Sequence, residues 1–225
     1  AIPKGVEKLI ESSLLSQLQK HSTHDLQTKE PSYPSFHKSR QEIEVPRLES
    51  TRLLMAWPLA PAQDQLILLG ADIATSLLAE GRRSRLVQHL REDLQIVESI
   101  DMDVTALEKG GIILLEACCK QEDLEIVEKE VHNILKESIG SIAKKQELER
   151  AYRLVRNGLC FNLEAASQVA GLAGSQALWH RPQPLLAPLK QINHWSGLRL
   201  KDEMFLELQP ENSCTLIAKP IETDS

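Results

Sequence analysis

Leu77 to Glu98 reads LLAEGRRSRLVQHLREDLQIVE, and the fold follows from how this stretch is punctuated. A mostly apolar helix ends near Gly81, a residue type that tolerates the backbone of a helix stop. The basic turn Arg82-Arg83-Ser84-Arg85 then opens a second helix. That helix runs into a strand, with Arg91 and Glu98 at its entrance. The chain therefore turns from helix to helix to strand within one short segment.

The pattern extends outward on both sides. Upstream, Glu42–Arg47 alternates, with Ile43 and Val45 on one side and Glu42 and Glu44 on the other. Pro46 cannot donate to a ladder and places this strand at an edge. Arg52–Trp57 follows after the short turn Glu49-Ser50, so the two are expected to pair as an antiparallel hairpin. Leu66–Leu78 is the longest greasy stretch, broken by Asp72 and Ser76, and reads as a buried helix. Downstream, strands are expected over Gln95–Val104 and Ile112–Cys119, joined by the turn Glu108-Lys109-Gly110-Gly111. Glu122–Glu137 reads as an amphipathic helix with Leu124, Val127, Val131, Ile134 and Leu135 on one face, and Glu125 and Lys129 are spaced to pair across a turn. His132 lies beside that face. Gln146–His180 reads as two helical pieces, and Leu186–Trp195 as a shorter one. Lys201–Leu208 reads as helix, Pro210-Glu211-Asn212 as a turn and Ser213–Lys219 as a last strand. Adjacent strand pairs with helices grouped between them define an α+β fold, an antiparallel sheet with helices layered on one face.

Composition narrows the function classes. The 225 residues are 42% hydrophobic and 26% charged, ordinary for a globular protein able to bury a large core. The net charge of −6 argues against a nucleic-acid surface, and the Arg82–Arg85 cluster is too short to reverse that. No apolar run approaches the ~20 residues needed to span a bilayer. Cys118, Cys119, Cys160 and Cys214 make no CxxC pair and no zinc-ribbon spacing. They read as buried free thiols, which favours a soluble protein in a reducing compartment such as the cytoplasm. Cys118 and Cys119, adjacent in a strand, should face opposite ways. Gly5–Gln19 has a helical pattern. His21–Gln41, polar and containing Pro31 and Pro34, is the best linker.

Ser84-Arg85-Leu86 and Leu90-Arg91-Glu92, in this order between a helix and a strand, resemble the pitrilysin/insulinase family of zinc metallopeptidases, which includes the mitochondrial processing peptidase and its non-catalytic relatives. Glu147-Leu148-Glu149-Arg150 is similar to the start of that family's long helix, and Leu206–Pro220 (LELQPENSCTLIAKP) to its closing helix, turn and strand. The resemblance covers about Gln41 to Pro220. The family's zinc site needs His-x-x-Glu-His on one helix. Of the seven histidines only His21 and His24 lie close together, in HSTHD, without the following Glu-His.

The resemblance therefore implies a non-catalytic, C-terminal-type lobe, with no catalytic and no metal-ligating residue in this chain. Residues 1–40 would be the end of a preceding lobe plus linker, 41–220 the lobe itself and 221–225 a tail. Zinc is expected in a catalytic lobe or partner subunit of the same family, and the chain alone should be inactive. It would help enclose a chamber and hold a peptide substrate. A catalytically silent scaffold or assembly subunit is the alternative, and an unrelated α+β ligand-binding module is a further rival. In active relatives an Arg is followed seven residues later by a Tyr, and both reach the substrate. Here Arg91 matches and Glu98 stands at the Tyr position, so these two are the candidate substrate-binding residues. Glu98 shares its strand phase with Ile96, Ile100 and Met102, and Arg91 is its expected ion-pair partner.

Overall fold

The structure, a computed structural model, describes residues 5–10, 12, 35–178 and 184–221. Contacts divide the chain into two units, Ala1–Ser32 and Tyr33–Ser225. In the first, Val6–Ile10 forms helix α1. The rest of the helix expected to Gln19, the linker residues 21–34 and the end of the tail lie outside the described residues.

In the second unit five strands make one sheet: β1 (Ser39–Val45), β2 (Thr51–Leu59), β3 (Ser99–Ala106), β4 (Gly111–Cys119) and β5 (Cys214–Pro220), in the order β1-β5-β2-β4-β3. The α+β class holds, but the sheet is mixed. β2 pairs antiparallel with β4 and β5, and β3 with β4, whereas β1 runs parallel to β5. The expected β1–β2 hairpin does not form, because β5 lies between the two strands. Burial explains the exchange. β1 has no residue to give the core, and its Ile43 is 43% exposed, whereas β5 buries Ile217 completely. The more apolar strand takes the central place beside β2. β1 is left at the edge, as Pro46 required, tied on by Lys219–Glu42 (2.6 Å) and by Arg40 to Glu128 (3.2 Å).

Alternation along the strands assigns one face to the core. Leu53, Met55 and Trp57 of β2, Ile113, Leu115 and Ala117 of β4, and Ile217 of β5 are buried beneath the helices. Helix α2 (Gln65–Ala79) is buried over most of its circumference, as its composition demands. Helix α3 (Leu124–Gly140) buries the expected stripe Leu124, Val127, Val131, Ile134 and Leu135. Lys129 does not pair with Glu125. Instead the neighbouring acids of α3 reach outward, Glu128 to Arg40 and Glu130 to His89 (2.9 Å). His132 is half-buried at the edge of that stripe, and burial lowers its pKa. Helices α4 (Lys145–Phe161) and α5 (Ala166–Leu178) follow as the expected two pieces, then the short α6 (Ala187–Gln191). Helical turns from Gly197 to Leu208 lead to the turn Pro210–Asn212.

Two tryptophans pin the helical layer. Trp57 donates from Nε1 to the Gln209 carbonyl (2.9 Å), fixing β2 to the closing turn. Trp195 donates to the Leu66 carbonyl (3.0 Å), carries the Arg199 guanidinium 4.3 Å above its ring, and accepts at its own carbonyl from the Tyr152 hydroxyl. The ring lies so close to α2 that a Cβ on Gly70 would stand 2.2 Å from it. Gly70→Ala should therefore destabilise the fold by about 1–3 kcal/mol despite Ala's better helix propensity. Urea unfolding checks this, and an unchanged or raised midpoint would show that Trp195 moves freely.

Candidate functional site

The motifs that stand far apart in sequence meet in space. The Ser84 hydroxyl donates to the Gly81 carbonyl (2.7 Å) and closes the turn, where Gly81 takes the left-handed φ of +77°. Arg85 leaves that turn and grips Glu147 with two nitrogens, at 3.0 and 3.1 Å. Its remaining terminal nitrogen donates to the Ser138 hydroxyl at 2.8 Å. One turn further along α4, Arg150 donates to the carbonyls of Ser76 and Leu77 (both 3.2 Å) and of Glu80 (2.6 Å). These carbonyls lie at the C-terminal end of α2, where a cation is favoured, and that of Ser76 also accepts from the Glu80 N–H. Arg85, Glu147 and Arg150 are thus structural, joining α2, α3 and α4.

Arg91 and Glu98 lie on either side of an irregular connection. The second helix opens at Arg85 and becomes a π-helix over Val87–Asp93. Leu94 and Ile96 still donate to the His89 and Leu90 carbonyls, and Gln95 adopts a φ of +56°. The chain is therefore not extended until Val97, and β3 begins at Ser99 instead of Gln95. This shifts the strand phase. Val97 takes the buried slot and Glu98 is exposed, although Ile100 points into the core as expected. The expected Arg91–Glu98 ion pair is absent. Glu98 accepts from the Ser50 hydroxyl (2.8 Å) and the Cys118 thiol (3.5 Å), and Arg91 is exposed with no ion-pair partner among the described residues.

The sheet face opposite the helices stays open among the described residues. Leu54, Ala56, Leu114 and Leu216 are only half-buried, although they lie on the three inner strands, and Arg52 and Pro58 are exposed. Register sets Leu54 beside both Glu116 and Leu216, and Ala56 beside both Leu114 and Cys214. This is an apolar field with polar margins. Cys118 belongs to this face and Cys119 to the core face, as adjacent strand residues must. All four cysteines are free, but Cys160, expected to be buried, is exposed on α4. Among the described residues no three His, Cys, Asp or Glu side chains converge to hold a metal ion.

Sequence reasoning noticed Asp72 only as an interruption of an apolar helix. The structure shows a polar stripe, Asp72, Ser76 and Glu80, along one side of α2, facing a cleft of about 620 Å³ beside β3. Burial, reinforced by the charge of Glu80, pushes the Asp72 pKa up to about 7. The helical spacing of these polar residues was the signal available in the sequence.

The peptidase M16 inactive-domain model matches residues 3–155. The fold is similar to the peptidase M16 inactive domain from Pseudomonas fluorescens, with a TM-score of 0.75 at 18% identity, over 86% of this chain and 47% of that one. A protease from Helicobacter pylori gives 0.70 at 19%, over 93% and 52%. A candidate zinc protease from Bordetella pertussis gives 0.66 at 16%, over 76% and 93%. The chain thus spans about half the length of the first two structures. No curated protein sequence matches it significantly. No helix among the described residues is long and apolar enough to cross a membrane.

The Glu147 clamp sets an acid limit on stability. Burial raises the Glu147 pKa, but the Arg85 guanidinium and the Lys144 backbone N–H outweigh it and hold the carboxyl below its usual range. A carboxyl lowered in the folded state contributes fully above its unfolded pKa, and that contribution is lost as pH falls through the folded value. Glu147→Gln should cost about 1–2 kcal/mol at neutral pH, and the gap from the wild type should close in acid. Urea unfolding across pH measures it, and a gap constant with pH would contradict the clamp.

Proposed function

The chain belongs to the peptidase M16 inactive-domain family, and from that premise we propose that it forms one wall of the substrate chamber of a zinc metalloendopeptidase. The observation that carries this reading is the open sheet face. An apolar sheet centre left without helices is a surface built to be covered or to hold something. An extended peptide lying over Leu54, Leu114 and Leu216 would bury apolar area without needing a deep pocket. The described residues offer no metal site, so the zinc that activates water would come from a catalytic lobe of the same family, in the same polypeptide or in a partner subunit. Arg91, exposed on its π-helical turn, is the residue proposed to reach the peptide, with Glu98 at the edge of the same region. The four free cysteines favour a reducing compartment.

One observation favours the second reading, a silent scaffold. Glu98, at the position of the substrate-orienting Tyr of active relatives, is held by Ser50 and Cys118 instead of standing free.

Reconstitution separates the two. The purified chain alone should cleave no peptide. Together with the catalytic lobe of its parent or partner it should raise cleavage, and Arg91→Ala in that assembly should lower kcat/KM about tenfold. If the assembly forms but cleaves nothing, the scaffold reading replaces the chamber wall. Cleavage by this chain alone would overturn both.

A further inference from the structure

The cleft of about 620 Å³ between α2, β3 and α4 carries charge of one sign. Asp72 and Glu80 border it from α2, Asp101 and Asp103 from β3, and Glu116 from β4, whereas no Lys, Arg or His lines it. Glu116 pairs with Arg52, and Glu80 accepts from the Ser76 hydroxyl. Asp72, Asp101 and Asp103 have no ion pair or side-chain hydrogen bond among the described residues. Asp101 also stands opposite Glu116 in the ladder, where like charges destabilise a sheet. Asp72 is the costliest of the five. It interrupts a helix otherwise buried nearly all round. Its carboxyl is deeply enclosed, and its opening is toward the cleft. An unpaired anion in that position is expensive, and an alanine would fill the place without that cost. Elsewhere in this acidic chain carboxylates are matched, as along the other sheet edge, where Arg40, Glu42, Glu128 and Lys219 form one network.

The spacing of these acids selects among cations. A metal ion needs ligands converging on a point, and no three converge among the described residues. The acids lie in two rows instead. Asp72, Ser76 and Glu80 follow one another at four-residue steps on α2, about 6 Å apart along the helix axis. Asp101 and Asp103 are alternate residues of a strand, about 7 Å apart. Ammonium groups separated by three or four methylenes repeat at a comparable interval. The rest of the lining is largely apolar, with Leu154, Val155 and Leu159 of α4 and Met102 of β3. Methylene chains lie well on such a surface while their charged ends stay paired.

We propose that this cleft is a binding site for a linear aliphatic polyamine. One ammonium group gives Asp72 the partner it lacks, beside the Ser76–Glu80 pair. The others meet Asp101 and Asp103, and the methylenes lie against the wall formed by α4. Carboxylates and an apolar surface make up the recognition, without pairing to the backbone of the sheet. The bound cation neutralises the acids between α2 and β3, so it stabilises the folded chain. The proposal is independent of the chamber-wall reading, because the cleft and its ligand need no second lobe.

Isothermal titration calorimetry of the full 225-residue chain with spermidine tests it, against putrescine, butylamine, Mg²⁺ and trilysine at matched ionic strength. Saturable binding of a single spermidine is expected, with putrescine about tenfold weaker and butylamine and Mg²⁺ weaker still. Asp72→Asn keeps the shape and removes the charge, and it should weaken spermidine about tenfold. Asp101→Asn/Asp103→Asn, at exposed positions that leave the fold intact, should weaken it about as much. Spermidine should also raise the Tm of the wild type more than that of either variant. Equal affinity for spermidine and Mg²⁺ would reduce the effect to the general attraction of an acidic chain and overturn the site. Affinity unchanged in the aspartate variants would do the same. Tighter binding of trilysine than of spermidine would give the cleft to peptide side chains and remove the polyamine as its ligand. Absence of both heat and thermal shift with spermidine would contradict the proposal outright, whatever the reconstituted assembly cleaves.

Discussion

The clamp formed by Arg85, Glu147 and Arg150 is the interaction on which the arrangement depends. α2 is apolar nearly all round and must be enclosed, but its C-terminal carbonyls cannot be enclosed without partners. Arg150 supplies them from α4, and Arg85, fixed by the Ser84–Gly81 turn, holds α4 in place through Glu147. A charge-assisted two-point pair of this kind contributes about 1.5–3 kcal/mol. Its larger effect is geometric, since it sets where the helical layer ends and where the chain re-enters the sheet. The cleft between β3 and α4 lies beside that placement.

Alternation along the strands gives the sheet two faces with different fates. The helices spend their apolar surface on the core face, where Trp57 and Trp195 lock them to β2 and α2. The opposite face is left with half-buried leucines and alanines and a margin of aspartates. On the proposed chamber-wall reading, this is the face that a catalytic lobe and its peptide would complete.

Much of this was legible in the sequence, and the failures share a cause. The apolar run of α2, the stripe of α3, the edge position of β1 and the last strand follow from periodicity and proline, which are local. The order of Ser84-Arg85-Leu86 and Glu147–Arg150 was legible too, but their contact, 62 residues apart at Arg85–Glu147, was not. The short Glu49-Ser50 turn points to a β1–β2 hairpin, but the competition with β5 for burial decides the pairing. Strict alternation through Gln95 groups Glu98 with the apolar residues, but the left-handed backbone of Gln95 breaks the strand there. The candidate site was legible only as Arg91 and Glu98. The cleft aspartates were visible singly, as Asp72 in a greasy helix and Asp101 and Asp103 in a strand, and only the fold brings them to one edge.

The central claim is that the open face of the sheet looks onto substrate. A photo-crosslinking side chain placed at Leu54 of the full-length protein or complex, irradiated during turnover of a labelled peptide, tests it directly. The account predicts that label is captured at this position and that unlabelled peptide suppresses the capture. Crosslinks solely to a neighbouring protein surface, unaffected by peptide, would contradict it and show that the face is an assembly contact.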